Sequence, residues 1–206
     1  VEKIDFKKTL KHLYLPGKKD FVLVEVPGMQ FLMIDGAGNP NTSPEYQDAL
    51  EALYGVAYKI KFISKKQLER DYVVPPLEGL WWAEDMGAFV AGNKDDWSWT
   101  MMIMTPDWIT EGIYRQALEV VAAAKEPPAA LEKLHLESYH EGLSAQILHI
   151  GSYDDEAPTL ARLHDEWMLE NFLTFNGKHH EIYLSDPRRV APEKLKTVLR
   201  QPVKKI

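Results

Sequence analysis

The sequence predicts an α+β fold: two pseudo-symmetric βαββ modules, an antiparallel sheet, and two long helices flanking a central ligand cleft. Three observations carry this. The order strand, helix, strand, strand occurs twice along the chain. The strands are short, with turn signals between them, and two helical stretches carry apolar stripes at 3–4-residue spacing. A helix laid on an antiparallel sheet buries one face of each element, and two such units complete an α+β domain. With 206 residues the chain has ample core for this.

The first module is read over about residues 21–126, after an N-terminal arm of residues 1–20 that is Lys-rich and ends at Pro16-Gly17. Phe21–Val26 has the profile of a strand, Pro27-Gly28 interrupts it, and Gln30–Ile34 resumes it. Asp35-Gly36-Ala37-Gly38-Asn39-Pro40 reads as a loop; its spacing does not fit a dinucleotide or phosphate-binding fingerprint. Ser43-Pro44-Glu45 starts a helix: Ser as cap, Pro at the first helical position, Glu complementing the dipole. That helix is expected to run to about residue 60. Tyr46, Leu50, Leu53 and Ala57 form one stripe, with Tyr54 and Tyr58 beside it. Leu77–Trp82 and Trp97–Met104 read as strands, separated by a polar, glycine-containing loop over Gly87–Asp96. Thr110 caps a helix expected to reach about Lys125.

The second module is read over about residues 131–206. Strands are expected at Leu134–Tyr139 and Leu143–Ile150, broken by His140-Glu141-Gly142. A helix follows from about Asp155 to Thr174, and Asn176-Gly177 stops it. His180-Glu181-Ile182-Tyr183 is a strand ended by Ser185-Asp186-Pro187, and the last strand lies near Val198–Arg200. The repeat pairs Phe31–Ile34 with Gln146–Ile150, the two long helices with each other, Leu77–Leu80 with His180–Tyr183, and Trp97–Met104 with Thr197–Val203. It sets Glu78 and Glu181 at equivalent positions.

Several chemistries are excluded or disfavoured. Without cysteine there is no disulfide, thiolate or zinc–thiolate chemistry. The net charge of −7 argues against a nucleic-acid surface and suits cations. No apolar run is long enough to span a bilayer and the N-terminus has no apolar signal core, so a cytoplasmic location is expected. His179 and His180 are adjacent on a strand and point opposite ways, so they do not ligate one ion. No Gly-x-Ser-x-Gly elbow is present. No metal or cofactor is expected.

What remains is aromatic and acidic. Six Trp are many for this length, and aromatics beyond core needs line pockets for flat or cationic ligands. On the Glu181 strand, side chains alternate, so Glu181 and Tyr183 share one face while His180, Ile182 and Leu184 take the other. Trp97, Trp99, Met101 and Ile103 likewise share a face. A Glu buried against aromatics has its charged form disfavoured, which raises its pKa toward neutrality and suits it to proton transfer.

Five blocks in order resemble one family: Asp35-Gly36-Ala37-Gly38-Asn39-Pro40, Leu53-Tyr54-Gly55-Val56-Ala57-Tyr58, Pro76–Trp82, Gln146–Tyr153 and His180–Leu184. They are similar to the GyrI-like small-molecule-binding proteins, over about residues 20–204. The resemblance implies a single GyrI-like domain over 21–206, with a pocket for apolar, often cationic, aromatic compounds. It implies Glu181 as the pocket glutamate. Stand-alone members that hydrolyse cyclopropane-bearing alkylating compounds with an aromatic cage imply Glu181, Tyr183 and Tyr139 as catalytic candidates. Glu78, Trp82, Trp99, Met101, Tyr54, Tyr58, Trp167 and Phe172 are the ligand-binding candidates. The expected partner is a small aromatic molecule; the alternative to hydrolysis is a binding protein or ligand sensor.

Overall fold

The computed structural model describes residues 2–84 and 92–206; part of the loop expected over Gly87–Asp96 lies outside them. The chain divides into two compact units. The first is Val1–Thr9 with Met29–Tyr139, and the second is Leu10–Gly28 with His140–Ile206. Among the described residues no helix is long and apolar enough to cross a membrane.

In the first unit, β1 (Lys3–Ile4) pairs in parallel with β3 (Asp71–Tyr72), and α1 (Phe6–Thr9) lies between them in the chain. Three antiparallel strands form its main sheet: the C-terminal part of β2 (Val22–Ala37), then β5 (Ser98–Thr105), then β4 (Leu77–Trp82). The strand β2 is continuous where the sequence suggested a break at Pro27-Gly28 and a loop from Asp35. Its ladder extends through Asp35↔Thr100, Gly36↔Trp99 and Ala37↔Ser98. Gly36 belongs there because the Trp99 indole lies across it: a Cβ at Gly36 would meet the ring at 2.1 Å.

The helix α3 (Pro44–Gln67) begins as expected, with Pro44 in the first turn, although Ser43 makes no side-chain cap bond. It outruns the expected end by two turns. Ile60, Ile63 and Ser64 continue its buried face, and Lys61 donates to Asp71 at 2.7 Å. Glu69, at φ 55, turns the chain out of the helix. The helix α4 (Glu111–Ala122) is capped by Thr110, whose Oγ1 accepts from the Ile113 N–H.

In the second unit, β6 (His135–Ile150) is one strand, with Gly142 at φ +76 supplying the bend read as a break. Its C-terminal half pairs with β9 (Lys196–Lys205), which pairs with β8 (His179–Tyr183) and, at its far end, with β7 (Leu173–Phe175). All these pairings are antiparallel. The order strand, helix, strand, strand thus recurs as β2, α3, β4, β5 and as β6, helix, β8, β9, with β7 added before β8 in the second unit; in each the last strand lies between the first and the one before it.

The second helix departs most from expectation. A 3₁₀ turn (Tyr153–Glu156) leads into α5 (Ala157–Ala161), a π-helical segment (Arg162–Trp167) and α6 (Met168–Glu170). It ends at Phe172, whose φ of 54 lets the chain enter β7. Leu163 and Met168 pack with Ala145, Ile147, Leu199 and Val203, which identifies the helix-covered face of this sheet. The opposite face is held by buried polar groups under α2 (Lys11–Tyr14). The row Gln146, Arg200, His180 runs across it. Arg200 donates to Gln146 Oε1, Leu13 O and Glu141 Oε2, and Gln146 donates to His12 O.

Candidate functional site

Strand parity selects the site. Glu181 lies opposite Leu199, which lies opposite Ile147. Both apolar residues belong to the helix-covered cluster, so Glu181, His179 and Tyr183 face the helix and His180 faces the Arg200 network. The expected Glu181–Tyr183 pair is present: the Tyr183 hydroxyl donates to Glu181 Oε2 at 2.7 Å. His179, read only for metal binding, donates through Nε2 to Glu181 Oε1 at 2.9 Å. Glu156, buried at the entry to the helix, supplies a further side-chain hydrogen bond to Glu181. The Tyr153 ring meets Tyr183 edge-on at 5.8 Å between centroids.

These contacts reverse the expected electrostatics. Burial is the largest single influence on Glu181 and pushes its pKa up. The bond and charge of His179, with the bonds from Tyr183 and Glu156, outweigh it and hold the group below its ordinary 4.5. The carboxylate, 15 % exposed at its side chain, is therefore a fixed anion at neutral pH, where burial alone would have made it a weak acid. His164, on the π-helical segment, completes the surroundings. Its ring packs edge-on against Phe175 at 4.9 Å. Burial, then the neighbouring His179 charge, lower its pKa to about 4, and its Nε2 is buried with no hydrogen-bond partner among the described residues.

The other expected residues are distributed differently. Trp167 packs on Phe21, centroids 5.6 Å apart, beside the second unit's core. Phe172 is 74 % exposed at the helix end. In the first unit Trp99 is fully buried beneath α3, with Tyr46 edge-on at 5.3 Å, and Met101 follows it on the same face. The buried Trp99 Nε1 has no hydrogen-bond partner among the described residues. Tyr54 and Tyr58 lie on the solvent side of α3, so the helix separates them from Trp99 and Met101, and the four do not form one wall. Tyr139 packs edge-on against Phe31 in the first unit.

Glu78 is fully buried, but it corrects the expected equivalence. It shares a row with Met102 and Met33, one residue out of phase with Trp99 and Met101. It therefore faces away from α3, whereas Glu181 faces its own unit's helix. Trp82 shares the Glu78 side of β4.

Sequence reasoning missed His179 and Glu156. The signal for His179 was the same two-residue alternation that joined Glu181 to Tyr183; Glu156 had none beyond a helix-start pattern. An open groove of about 710 Å³ is lined by Lys18, Ile147, His149, Asp155 and Arg162 among others, and by none of Glu181, His179 or Tyr183. Its histidine is already bonded to Ser152 O. The convergent, largely buried titratable groups lie instead at Glu181, His179 and Tyr183. Among the described residues no cluster of acidic and His side chains could hold a metal ion.

The comparisons agree with this two-unit topology. No curated protein matches the chain. An uncharacterized conserved protein from Listeria innocua is 42 % identical with a TM-score of 0.89, covering 98 % of this chain and 100 % of its own. A hydrolase from Listeria innocua is 41 % identical with a TM-score of 0.84 over the same shares. The C-terminal domain of EcmrR shares the fold at 10 % identity and a TM-score of 0.57, covering 91 % of this chain and 98 % of that one. The GyrI-like small molecule binding domain matches residues 19–204. With that match spanning nearly its whole length, the chain belongs to the GyrI-like small-molecule-binding family.

Proposed function

We propose that this protein binds flat, apolar or cationic aromatic compounds at the Glu181 cluster and hydrolyses strained-ring electrophiles among them, such as cyclopropane-bearing compounds, as a detoxifying activity. The observation that carries the reading is the Glu181 carboxylate itself, an anion held by His179, Tyr183 and Glu156 on a partly open face. The Listeria innocua protein described as a hydrolase, 41 % identical, supports catalysis.

In this reading Glu181 orients a water and accepts its proton as the oxygen attacks a ring carbon. The cyclopropane C–C bond breaks and its electron pair moves to the conjugated carbonyl oxygen. As Glu181 gains the proton it becomes a poorer acceptor for Tyr183, whose hydroxyl turns to the new oxyanion. A donor there stabilises the transition state more than the ground state. The proton then passes from Glu181 to that oxygen, giving the phenol and regenerating the carboxylate. General-base assistance of this kind contributes on the order of 10²–10⁴-fold.

The test is incubation with a duocarmycin-type cyclopropane compound and mass detection of the water adduct. Glu181→Gln keeps size and hydrogen bonding but removes the base; turnover of a neutral substrate should fall roughly a hundredfold or more, with binding within a few-fold. No adduct from wild type, or equal turnover by Glu181→Gln, refutes hydrolysis and leaves a ligand-binding protein.

A further inference from the structure

The first unit carries an exposed aromatic stripe that the proposed chemistry does not use. On α3 the buried residues Ala49, Leu53, Val56, Ile60 and Ile63 face the core. Directly opposite stand Tyr54, Tyr58 and Phe62, 36 %, 49 % and 57 % exposed. Glu51 and Lys65, also exposed, continue the stripe at its two ends. At about 100° per residue all five fall within about 40° of one line along the helix. A contiguous apolar stripe bounded by charge is the signature of a contact surface.

The pattern is self-complementary. Glu51 lies seven residues before Tyr58 and Lys65 seven after; Tyr54 lies four before and Phe62 four after. A two-fold axis through Tyr58, with two copies of α3 antiparallel, sets Glu51 against the other copy's Lys65, Tyr54 against Phe62, and Tyr58 against itself. A parallel pair would instead set Glu51 on Glu51 and Lys65 on Lys65. The charge order therefore selects both the partner, a second copy, and the orientation, and a two-fold contact uses the same patch on both copies. Lys65 also contacts Asp71 at 3.1 Å, but Lys61 holds Asp71 at 2.7 Å independently. The geometry points to an antiparallel homodimer through α3, with Tyr58 on the two-fold axis.

Light scattering and sedimentation of the full chain over a concentration series test this. Wild type should approach twice the 23.6 kDa chain mass. Tyr58→Glu should remain at the single-chain mass throughout. Glu51→Lys should weaken association at least tenfold, and Glu51→Lys/Lys65→Glu should restore it. All these positions are exposed, and circular dichroism confirms that each variant folds. The chain has no cysteine, so single cysteines report orientation. Tyr58→Cys should cross-link to itself with a short bis-maleimide. Gln47→Cys, whose two copies would lie roughly 33 Å apart by helical rise, should not. A wild type that stays single-chain, a dimer indifferent to Tyr58→Glu, failure of the charge swap, or efficient cross-linking at Gln47→Cys each overturns the proposal.

Discussion

Glu141→Gln should unlatch the back of the strand that carries Glu181. The Glu141 carboxylate, 2 % exposed, receives the His180 Nδ1–H at 2.8 Å and an Arg200 N–H at 3.1 Å. The amide keeps the shape and one acceptor but removes the charge that balances Arg200. Breaking a buried ion pair from one side costs about 3–5 kcal/mol. Arg200 would keep its bonds to Gln146 and Leu13 O, which puts the expectation at the lower end, about 3 kcal/mol, or roughly a hundredfold in the opening equilibrium. Amide hydrogen exchange across β6, β9 and α2 reads this directly, with urea unfolding as the second measure. Replacing the pair by apolar residues, Glu141→Leu/Arg200→Met, should lose less than Glu141→Gln, because no charge is stranded. The pH dependence has a definite sign. Burial pushes the Glu141 carboxyl up, but the His180 and Arg200 charges and bonds outweigh it and lower its pKa from 4.5. Its contribution is full above 4.5 and is lost as pH falls through the lower folded value. Acid should therefore destabilise wild type more steeply than the apolar double variant. A loss under about 1 kcal/mol for Glu141→Gln would refute the account of the buried pair.

Gly36→Ala should destabilise the first unit by about 2–3 kcal/mol, since the new Cβ meets a fully buried Trp99 ring backed by Tyr46; Gly36→Ala/Trp99→Leu in a urea double-mutant cycle should lose less than the two single losses together. NMR titration should show the His164 ring neutral from pH 5 to 8, because its pKa is lowered to about 4. The unfolded chain takes that proton near 6.5 and the folded one does not, so stability falls with acidification, by about 2 kcal/mol at pH 5 relative to His164→Phe. Glu181 is held below 4.5, so binding of a permanently cationic aromatic should be flat from pH 8 to 5.5, as followed by calorimetry; a rise in affinity through neutral pH would contradict that state.

Much of the site was legible because strand alternation is local. Once His179–Tyr183 is a strand, Glu181 and Tyr183 must share a face. The same rule places His179 on that face. The charge state of Glu181 was misjudged for a different reason. Burial against aromatics raises a carboxyl, but the sign depends on groups brought from elsewhere in the fold, and Glu156 comes from 25 residues away in sequence. The Glu78–Glu181 equivalence failed by one residue of register, a quantity that pairing and helix placement decide and pattern matching does not.

By itself the sequence determined the doubled strand–helix–strand–strand order, the cap at Thr110, the start of α3 and the membership of the Glu181 strand, because turn residues, periodicity and capping act within a few residues of themselves. It also encoded the exposed stripe of α3, since helical geometry converts spacing into a face. The tertiary structure decided which face of each strand meets a helix, how far β2 and β6 continue through their bends, and that Arg200, Glu141 and His180 meet in the interior. Those outcomes depend on groups distant in sequence finding one another, and burial changes the energy of each charge by more than any local preference can.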